Sequence, residues 1–304
     1  MLPELVIGGA PKCGTSSLYR WLCAHPDACG SRPKEVFYFM DREHPLRRPE
    51  ANYLDHGLEK YGNHFAHCSG GVAVRFEATT HYLYQETARR VFARRKPTPQ
   101  VAFVLREPSA RVWSSFRFTK NNLANLNRDV SFRQYVNVSL HGSRRELEIL
   151  LEGSPSAYVL ARDVRYSQYV DYLLAWREHI EADHLHVFLF EDMVADPRSF
   201  MKKLARILDL DPRFYDAYDY DTQNRTRNIR NQPIHRLARK WSTYLRESPL
   251  KALLKKTYLF FQGKARAASK TADVEKALAE LEQHFQPYNQ RLSREFDLDL
   301  SEWE

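Results

Sequence analysis

A short segment near the start of the chain combines the residue types that bind anionic groups. Lys12 lies in a glycine-rich turn that ends at Gly14, and three hydroxyl residues, Thr15, Ser16 and Ser17, follow at once. Where such a turn opens a helix, unpaired backbone N–H groups and the positive end of the helix dipole face the same point. The lysine adds a full charge there. The segment therefore predicts a site for a phosphate or phosphosulfate group.

The position of the lysine separates this turn from the Walker A nucleotide-binding loop. That loop has the order G-x-x-x-x-G-K-[ST], whereas here the lysine precedes the second glycine. In a kinase or GTPase an aspartate that holds magnesium usually ends a buried strand, but the apolar run at 101–105 ends in Arg106. Both features disfavour magnesium-dependent ATP chemistry. A P-loop kinase-like enzyme remains as an alternative, and so does a capped helix that binds no ligand.

Two further polar residues are spaced so that they could bind a second phosphate group. Arg106 follows the buried strand directly, and Ser114 comes about two helical turns later. An arginine can bind a phosphate through two charge-assisted hydrogen bonds, and a serine hydroxyl can complete the contact. We therefore predict that Arg106 and Ser114 converge on one anionic group. Taken alone, Arg106 would be a surface salt-bridge partner.

Short strands alternate with helical patterns along most of the chain, and these elements must position the polar residues. Apolar runs predict strands at 5–7, 72–77, 101–105 and 186–190. Periodic apolar positions predict helices at 108–119, 132–141, 166–180, 197–208 and 273–285. Such alternation is typical of an α/β protein with a central, mainly parallel sheet. The predicted fold is a P-loop-like three-layer α/β/α domain.

Taken in order, the motifs resemble those of sulfotransferases that use 3′-phosphoadenosine 5′-phosphosulfate (PAPS), and most closely those of the heparan-sulfate type. The resemblance rests on GAPKCGTSSL at 9–18, PKEVFYF at 33–39, LREPSARVWS at 105–114 and FEDM at 190–193, and it extends to 285–303. It implies a soluble, bacterial-type, PAPS-dependent sulfotransferase that releases adenosine 3′,5′-bisphosphate. Because the sequence contains no internal repeat, low-complexity tract or long Pro/Gly/Ser linker, we predict a single sulfotransferase domain over 1–304.

The same resemblance implies roles for individual residues. Lys12 and the first helical turn, Gly14 to Ser17, would hold the 5′-phosphosulfate without a metal. Arg106 and Ser114 would hold the 3′-phosphate. Glu35 falls where the heparan-type enzymes carry the base that removes the proton of the acceptor hydroxyl, and Lys12 would stabilise charge on the leaving phosphate. Without the resemblance, Glu35 would be read as a salt-bridge partner.

Three features match the family pattern less closely. The heparan-type enzymes usually carry a lysine where this chain has Ala78, so the acceptor need not resemble heparan. His81 is a second candidate for the base, because cytosolic sulfotransferases use histidine. It ranks below Glu35, since a histidine at a strand end is more often structural. Lys264 and Arg266 fall where the family closes a basic loop over the nucleotide, in a loose match.

Basic residues concentrate in the segment 222–270, which contains thirteen Lys or Arg and one acidic residue, a net charge of +12. The whole chain carries +8, so the remainder carries −4. Amphipathic patterns predict that this segment is a basic helical insertion. It would contact an anionic acceptor, a membrane surface or only the protein body. A non-catalytic polyanion or membrane-surface binder is therefore a further alternative.

Composition and cysteine content limit the remaining choices. With 43% hydrophobic and 28% charged residues, the chain has the composition of a folded globular protein. Its four cysteines lack C-x-x-C spacing and are too few to staple 304 residues, so neither a zinc site nor a disulfide framework is indicated, and free cysteines in a reducing compartment are expected. No apolar stretch predicts a signal peptide or a membrane span. We expect a cytoplasmic enzyme without a nucleic-acid partner.

The predicted acceptor is a hydroxyl group of a carbohydrate, a lipid-linked molecule or a secondary metabolite. The loops expected to select it, 121–128 and 142–165, contain no recognisable motif. The sequence leaves the identity of the acceptor and the oligomeric state open.

Overall fold

The structure, a computed structural model, describes residues 2–220 and 271–303. The basic segment 222–270, with Lys264 and Arg266, lies outside the described residues. Among the described helices, none combines the length and the apolar composition needed to cross a lipid bilayer.

The described residues form two compact units. The first consists of 2–107, 168–220 and 285–303, and the second of 108–167 and 271–284. The first unit contains all the strands described below, and it also contains the predicted anion-binding turn. A single domain over 1–304 stays a prediction.

The first unit is built on a five-stranded sheet in which each strand runs parallel to its neighbours. The strands are β1 (Leu5–Gly9), β2 (Ala28–Gly30), β3 (Val74–Glu77), β4 (Gln100–Leu105) and β5 (Leu185–Leu189), arranged in the order β2-β3-β1-β4-β5. The predicted α/β fold with a mainly parallel sheet is confirmed. β2 was not predicted, because its three residues show no apolar periodicity.

The helices agree with most of the predicted positions. In chain order they are α1 (Thr15–Cys23), α2 (Tyr53–His56), α3 (Glu86–Ala93), α4 (Pro108–Arg117), α5 (Phe132–His141), α6 (Arg144–Leu150), α7 (Ala157–Leu160), α8 (Asp163–Tyr166), α9 (Tyr169–Arg177), α10 (Phe190–Ala195), α11 (Pro197–Ile207) and α12 (Ala272–Phe296). Single 3₁₀ turns occur at Tyr61–Phe65, Tyr82–Tyr84, Ala182–His184, Pro212–Asp216 and Ser301–Trp303, and a π turn at Phe118–Asn122.

The last helix continues beyond its predicted end. The sequence predicts that it ends at Phe285, shortly before Pro287, but α12 continues to Phe296. Proline cannot donate a backbone hydrogen bond within a helix and disfavours the preceding turn. Here Phe285 and Leu292, on either side of the proline, are both buried. Their burial favours the continuous helix, a tertiary effect that the local sequence does not reveal.

The second unit contains a buried ion pair. Arg111 on α4 donates from Nη2 to Asp163 Oδ1 (3.1 Å) and from Nε to Ser167 Oγ (2.8 Å). Aromatic rings pack in the same unit, with the centroids of Trp113 and Phe132 4.5 Å apart. Because the guanidinium is fully buried, these hydrogen bonds are needed to satisfy it, and they fix α4 relative to α8.

A disulfide joins Cys29 and Cys68, so the expectation that the cysteines are free is wrong for these two residues. The two residues are 39 positions apart, and the fold brings their Cα atoms to 5.9 Å. Pairing depends on this distance rather than on C-x-x-C spacing. Cys13 and Cys23 are free thiols. The cytoplasmic location relied partly on four free cysteines, and it stays a prediction with that support reduced.

Candidate functional site

The phosphate loop, which we define as residues 10–14, connects β1 to α1 through an unusual backbone. Lys12 and Gly14 have φ values of 72° and 77°, in the left-handed region that glycine adopts freely and other residues adopt rarely. The carbonyl of Gly14 accepts hydrogen bonds from the N–H groups of Ser17 (2.9 Å) and Leu18 (3.2 Å). The predicted strand, glycine turn and helix are therefore present.

The donors of the phosphate loop match an anionic group. The first N–H groups of a helix have no partner within the helix, and the first turn of α1 contains no acidic residue. Thr15 and Ser17 are buried in that turn, whereas Lys12 and Ser16 are partly exposed. A cation, helix N–H groups and hydroxyls thus belong to one short segment. This set of donors fits the phosphosulfate that the sequence predicts there.

Packing from a distant segment also requires a glycine at position 14. A Cβ atom there would lie 2.8 Å from Cδ2 of Phe190 and would collide with Cε of Met193. These two residues begin and end the FEDM motif, which opens α10. The ring of Phe190 also lies 4.8 Å from the guanidinium carbon of Arg106. The FEDM segment therefore contacts both the phosphate loop and Arg106, a packing role that the sequence did not predict.

Arg106 follows β4, which pairs in parallel with β1, so both strands end at the same edge of the sheet. The hydroxyl of Tyr169 donates to the carbonyl of Arg106 (2.9 Å) and lies 3.9 Å from the sulfur of Cys13 in the phosphate loop. Tyr169 thus links the two segments. Ser114 belongs to α4 in the second unit, and its convergence with Arg106 stays a prediction.

Glu35 lies beside the end of β3, with 33% of its side chain exposed. Its Oε1 accepts a hydrogen bond from Nζ of Lys34 (2.9 Å), which also donates to the carbonyl of Ala78 (3.0 Å). Ala78 follows β3, the other parallel neighbour of β1. The carbonyl of Thr80 would lie 3.1 Å from a Cβ atom on Gly9, the last residue of β1. The structure therefore brings the surroundings of Glu35 and the phosphate loop to one sheet edge, between two neighbouring strands where α/β proteins commonly bind ligands.

Two hydroxyl groups hold the backbone that follows Glu35. We call residues 35–39 the base segment. The Oγ1 atom of Thr79 accepts the N–H groups of residues 36 and 37 (3.0 and 3.3 Å). The hydroxyl of Tyr82 accepts those of residues 38 and 39 (3.0 and 3.3 Å). Four consecutive amides are therefore bound by side chains from a segment that follows β3.

One of these hydroxyls, that of Thr79, is hydrogen-bonded to the carboxyl group of Glu77, the fully buried last residue of β3. Thr79 donates to Oε2 (2.6 Å), and Tyr61 donates to Oε1 (2.6 Å). Burial raises the pKa of Glu77 to about 7, although the neighbouring hydroxyls act in the opposite direction. Glu77 was not predicted from the sequence. The available signal was a carboxylate that ends a mainly apolar strand and is followed by hydroxyl residues.

His81, the second candidate base, is 7% exposed. The centroid of its ring lies 5.3 Å from that of His44 and 6.1 Å from that of Tyr84. Enclosure by other rings is typical of a packed structural histidine. The side chain of Glu35 is more open, which favours Glu35 as the group that meets an acceptor.

Comparisons with known proteins agree with the resemblance found in the sequence. The family described as "Sulfotransferase domain" matches residues 2–243. The chain is 25% identical over 224 residues to the bifunctional heparan sulfate N-deacetylase/N-sulfotransferase 1 of Caenorhabditis elegans, a match that covers 71% of this chain and 23% of that protein. It is also 25% identical over 222 residues to the heparan sulfate glucosamine 3-O-sulfotransferase 6 of Mus musculus, covering 72% and 55%. The matches thus span only part of these relatives.

Among solved structures, the fold is similar to that of a sulfotransferase from Alicyclobacillus acidocaldarius. The TM-score is 0.66 at 20% sequence identity, and the alignment covers 100% of this chain and 99% of the other. At this identity the likeness concerns the fold alone.

Proposed function

Because this chain belongs to the family of sulfotransferase domains, we propose that it transfers a sulfuryl group from PAPS to a hydroxyl group and releases adenosine 3′,5′-bisphosphate. The observation that supports this most strongly is the placement of the phosphate loop and Glu35 at one edge of the sheet. An anion-binding loop that contains a lysine can bind the sulfuryl donor, and a partly exposed carboxylate beside it can accept the proton of the acceptor hydroxyl.

In the proposed reaction, PAPS supplies the activated sulfuryl group. Lys12 and the N–H groups at the start of α1 bind its 5′-phosphosulfate and stabilise the negative charge that develops on the phosphate. Arg106 and Ser114 bind the 3′-phosphate, and Lys264 and Arg266 are further proposed nucleotide-binding residues. Sulfuryl transfer, like phosphoryl transfer, depends mainly on positioning and charge stabilisation, so no metal is included in the proposal.

Glu35 is the proposed general base. Its carboxylate accepts the proton of the acceptor hydroxyl while the hydroxyl oxygen attacks sulfur in line with the departing phosphate oxygen. The hydrogen bond from Lys34 to Oε1 orients the carboxylate. The acceptor is proposed to be a carbohydrate, lipid-linked or secondary-metabolite hydroxyl. The names of the two curated relatives refer to heparan sulfate, which favours a glycan within that range.

A thermal-shift titration tests the nucleotide class. The protein is titrated side by side with adenosine 3′,5′-bisphosphate, with ADP and with ATP plus magnesium. A ligand at about 100 times its Kd adds about 2.7 kcal/mol to the free energy of unfolding. We expect a shift with the 3′,5′-bisphosphate that does not require magnesium, and none with ADP. A shift with magnesium-ATP alone, or no shift at all, would contradict the proposal.

The variant Glu35→Gln tests the base. It should lower kcat for sulfuryl transfer by about 10²-fold or more and leave the affinity for adenosine 3′,5′-bisphosphate unchanged. Glu181→Gln is the matched control, because Glu181 also pairs with a lysine, Lys96, at 3.3 Å. Near-normal turnover of Glu35→Gln would transfer the role to His81.

A further inference from the structure

The base segment is held by side chains rather than by a regular backbone ladder. Its four amides, at 36 to 39, donate to only two acceptor atoms, Thr79 Oγ1 and the hydroxyl oxygen of Tyr82. These acceptors lie 42 to 44 positions further along the chain than the amides. The N–H groups of the backbone that immediately follows Glu35 therefore depend on these two hydroxyl groups.

The hydrogen-bonding capacity of a hydroxyl group determines what fixes these two. A hydroxyl has one hydrogen to donate and two lone pairs to accept with. Thr79 uses both lone pairs for amides, so its hydrogen is directed to Oε2 of Glu77, at 2.6 Å. Tyr82 accepts two amides as well. The buried carboxyl group of Glu77 therefore orients the Thr79 acceptor.

Tyr61 provides a third bond that holds the carboxyl group itself. Its hydroxyl donates to Oε1 of Glu77 at 2.6 Å, and both side chains are fully buried. The rings of Tyr61 and Tyr38 pack with their centroids 5.1 Å apart, so the same tyrosine also contacts the base segment directly. The carboxyl group is thus enclosed between β3, the 3₁₀ turn that begins at Tyr61 and the base segment.

We propose that Glu77 is a positioning residue for the catalytic base: through Thr79 it fixes the backbone of residues 36 and 37, which directly follow Glu35, and so the direction of the Glu35 carboxylate. The inference rests on the proposed function, in which Glu35 is the base. Glu77 is buried and does not contact the acceptor. It acts on the reaction by holding Glu35 in place, and a displacement of about 1 Å at a reacting group can lower a rate about 10²-fold.

Variants of Thr79 test the connection between the carboxyl group and the segment. Thr79→Val keeps the shape of the side chain and removes the hydroxyl, whereas Thr79→Ser keeps the hydroxyl. With heparosan hexasaccharide as the acceptor probe, we expect Thr79→Val to lower kcat about 10- to 100-fold and Thr79→Ser to remain within about threefold of the parent. KM for PAPS should change less than about threefold in both. Thr98→Val is the control, since it removes a buried hydroxyl that bonds Arg95 away from the base segment.

Variants of Glu77 test the centre of the network. Glu77→Gln keeps one acceptor oxygen and Glu77→Met keeps none, so kcat should fall in the order parent, Gln, Met. In a Glu35→Gln background, Thr79→Val should cause little additional loss of kcat, because both substitutions then affect the same group. A full additional loss in that background, or unchanged kcat in Thr79→Val and Glu77→Met, would overturn the proposal.

Amide hydrogen exchange separates this inference from the proposed function. Exchange at residues 36 and 37, whose amides donate to Thr79, should accelerate in Thr79→Val and Glu77→Met and remain slow in Thr98→Val, whether or not the protein turns over the probe. Slow exchange in the first two variants would refute the positioning role. If the variants show this exchange pattern but the parent protein does not turn over the probe, the result counts against the proposed function instead.

Discussion

The phosphate loop and the base segment meet at one edge of the sheet, but they are held in different ways. The phosphate loop depends on backbone conformation and close packing, with Gly14 pressed against Phe190. The base segment depends on hydrogen bonds that its amides donate to Thr79 and Tyr82. A loop shaped by glycine tolerates almost no added atom, whereas a segment held by hydroxyls tolerates a change of shape but not the loss of an acceptor.

The largest effect is expected at the phosphate loop. Gly14→Ala should lower the free energy of unfolding by about 2–5 kcal/mol, since it adds left-handed backbone strain to a collision with Phe190. Chemical denaturation measures this, and a titration with adenosine 3′,5′-bisphosphate should show lost affinity in any folded fraction. Gly153→Ala is the control, because Gly153 has a φ of 70° with nothing within 4 Å of the added atom. Equal losses in the two variants would mean that packing contributes nothing at Gly14.

A covalent constraint acts on the base segment as well. The Cys29–Cys68 disulfide closes a loop that includes Glu35, so its removal enlarges the conformational freedom of the unfolded chain. Cys29→Ser with Cys68→Ser should lower the free energy of unfolding by about 2–4 kcal/mol. A reducing agent should have the same effect on the parent protein and none on the double variant. Cys23→Ser, which removes an exposed free thiol, is the control.

If reduction does not change the stability of the parent, the cross-link does not hold the base segment. In that case the hydrogen bonds of Thr79 and Tyr82 would be sufficient on their own. The phosphate loop would then be held by packing, and the base segment by hydrogen bonds without a covalent constraint.

The two regions also differ in how well the sequence predicts them. The phosphate loop was predicted from adjacent residues, because a strand, a glycine turn and a helix N-terminus are local features. Glu35 was found only through a family resemblance, and Glu77 was missed, because their partners are distant in the chain. The Cys29–Cys68 disulfide was not predicted, for the same reason. The parallel sheet was predictable from apolar runs, whereas the continuation of α12 beyond Pro287 depends on tertiary burial.

The smallest effect concerns the dependence of stability on pH. The carboxyl group of Glu77 faces the hydroxyls of Tyr61, Thr79 and Tyr82 and the carboxylate of Glu35, and burial raises its pKa from 4.5 to about 7. Between these two values the folded state binds the proton and the unfolded state releases it. The free energy of unfolding therefore falls as the pH rises through this window, by about 1 kcal/mol per pH unit.

Below pH 4.5 both states are protonated and above pH 7 both are ionised, so the contribution of Glu77 is constant outside the window. The Glu77→Gln variant has an amide at this position, which does not titrate. Denaturation measures the free energy of unfolding of the parent and of Glu77→Gln at pH values from 5 to 8. Relative to the variant, the parent should lose stability as the pH rises to about 7, and the difference should then stay constant. A constant difference would mean that the pKa of the buried carboxyl group is not raised. The base segment would then be held by a permanent carboxylate, which makes its attachment insensitive to pH, as the packing of the phosphate loop against Phe190 already is.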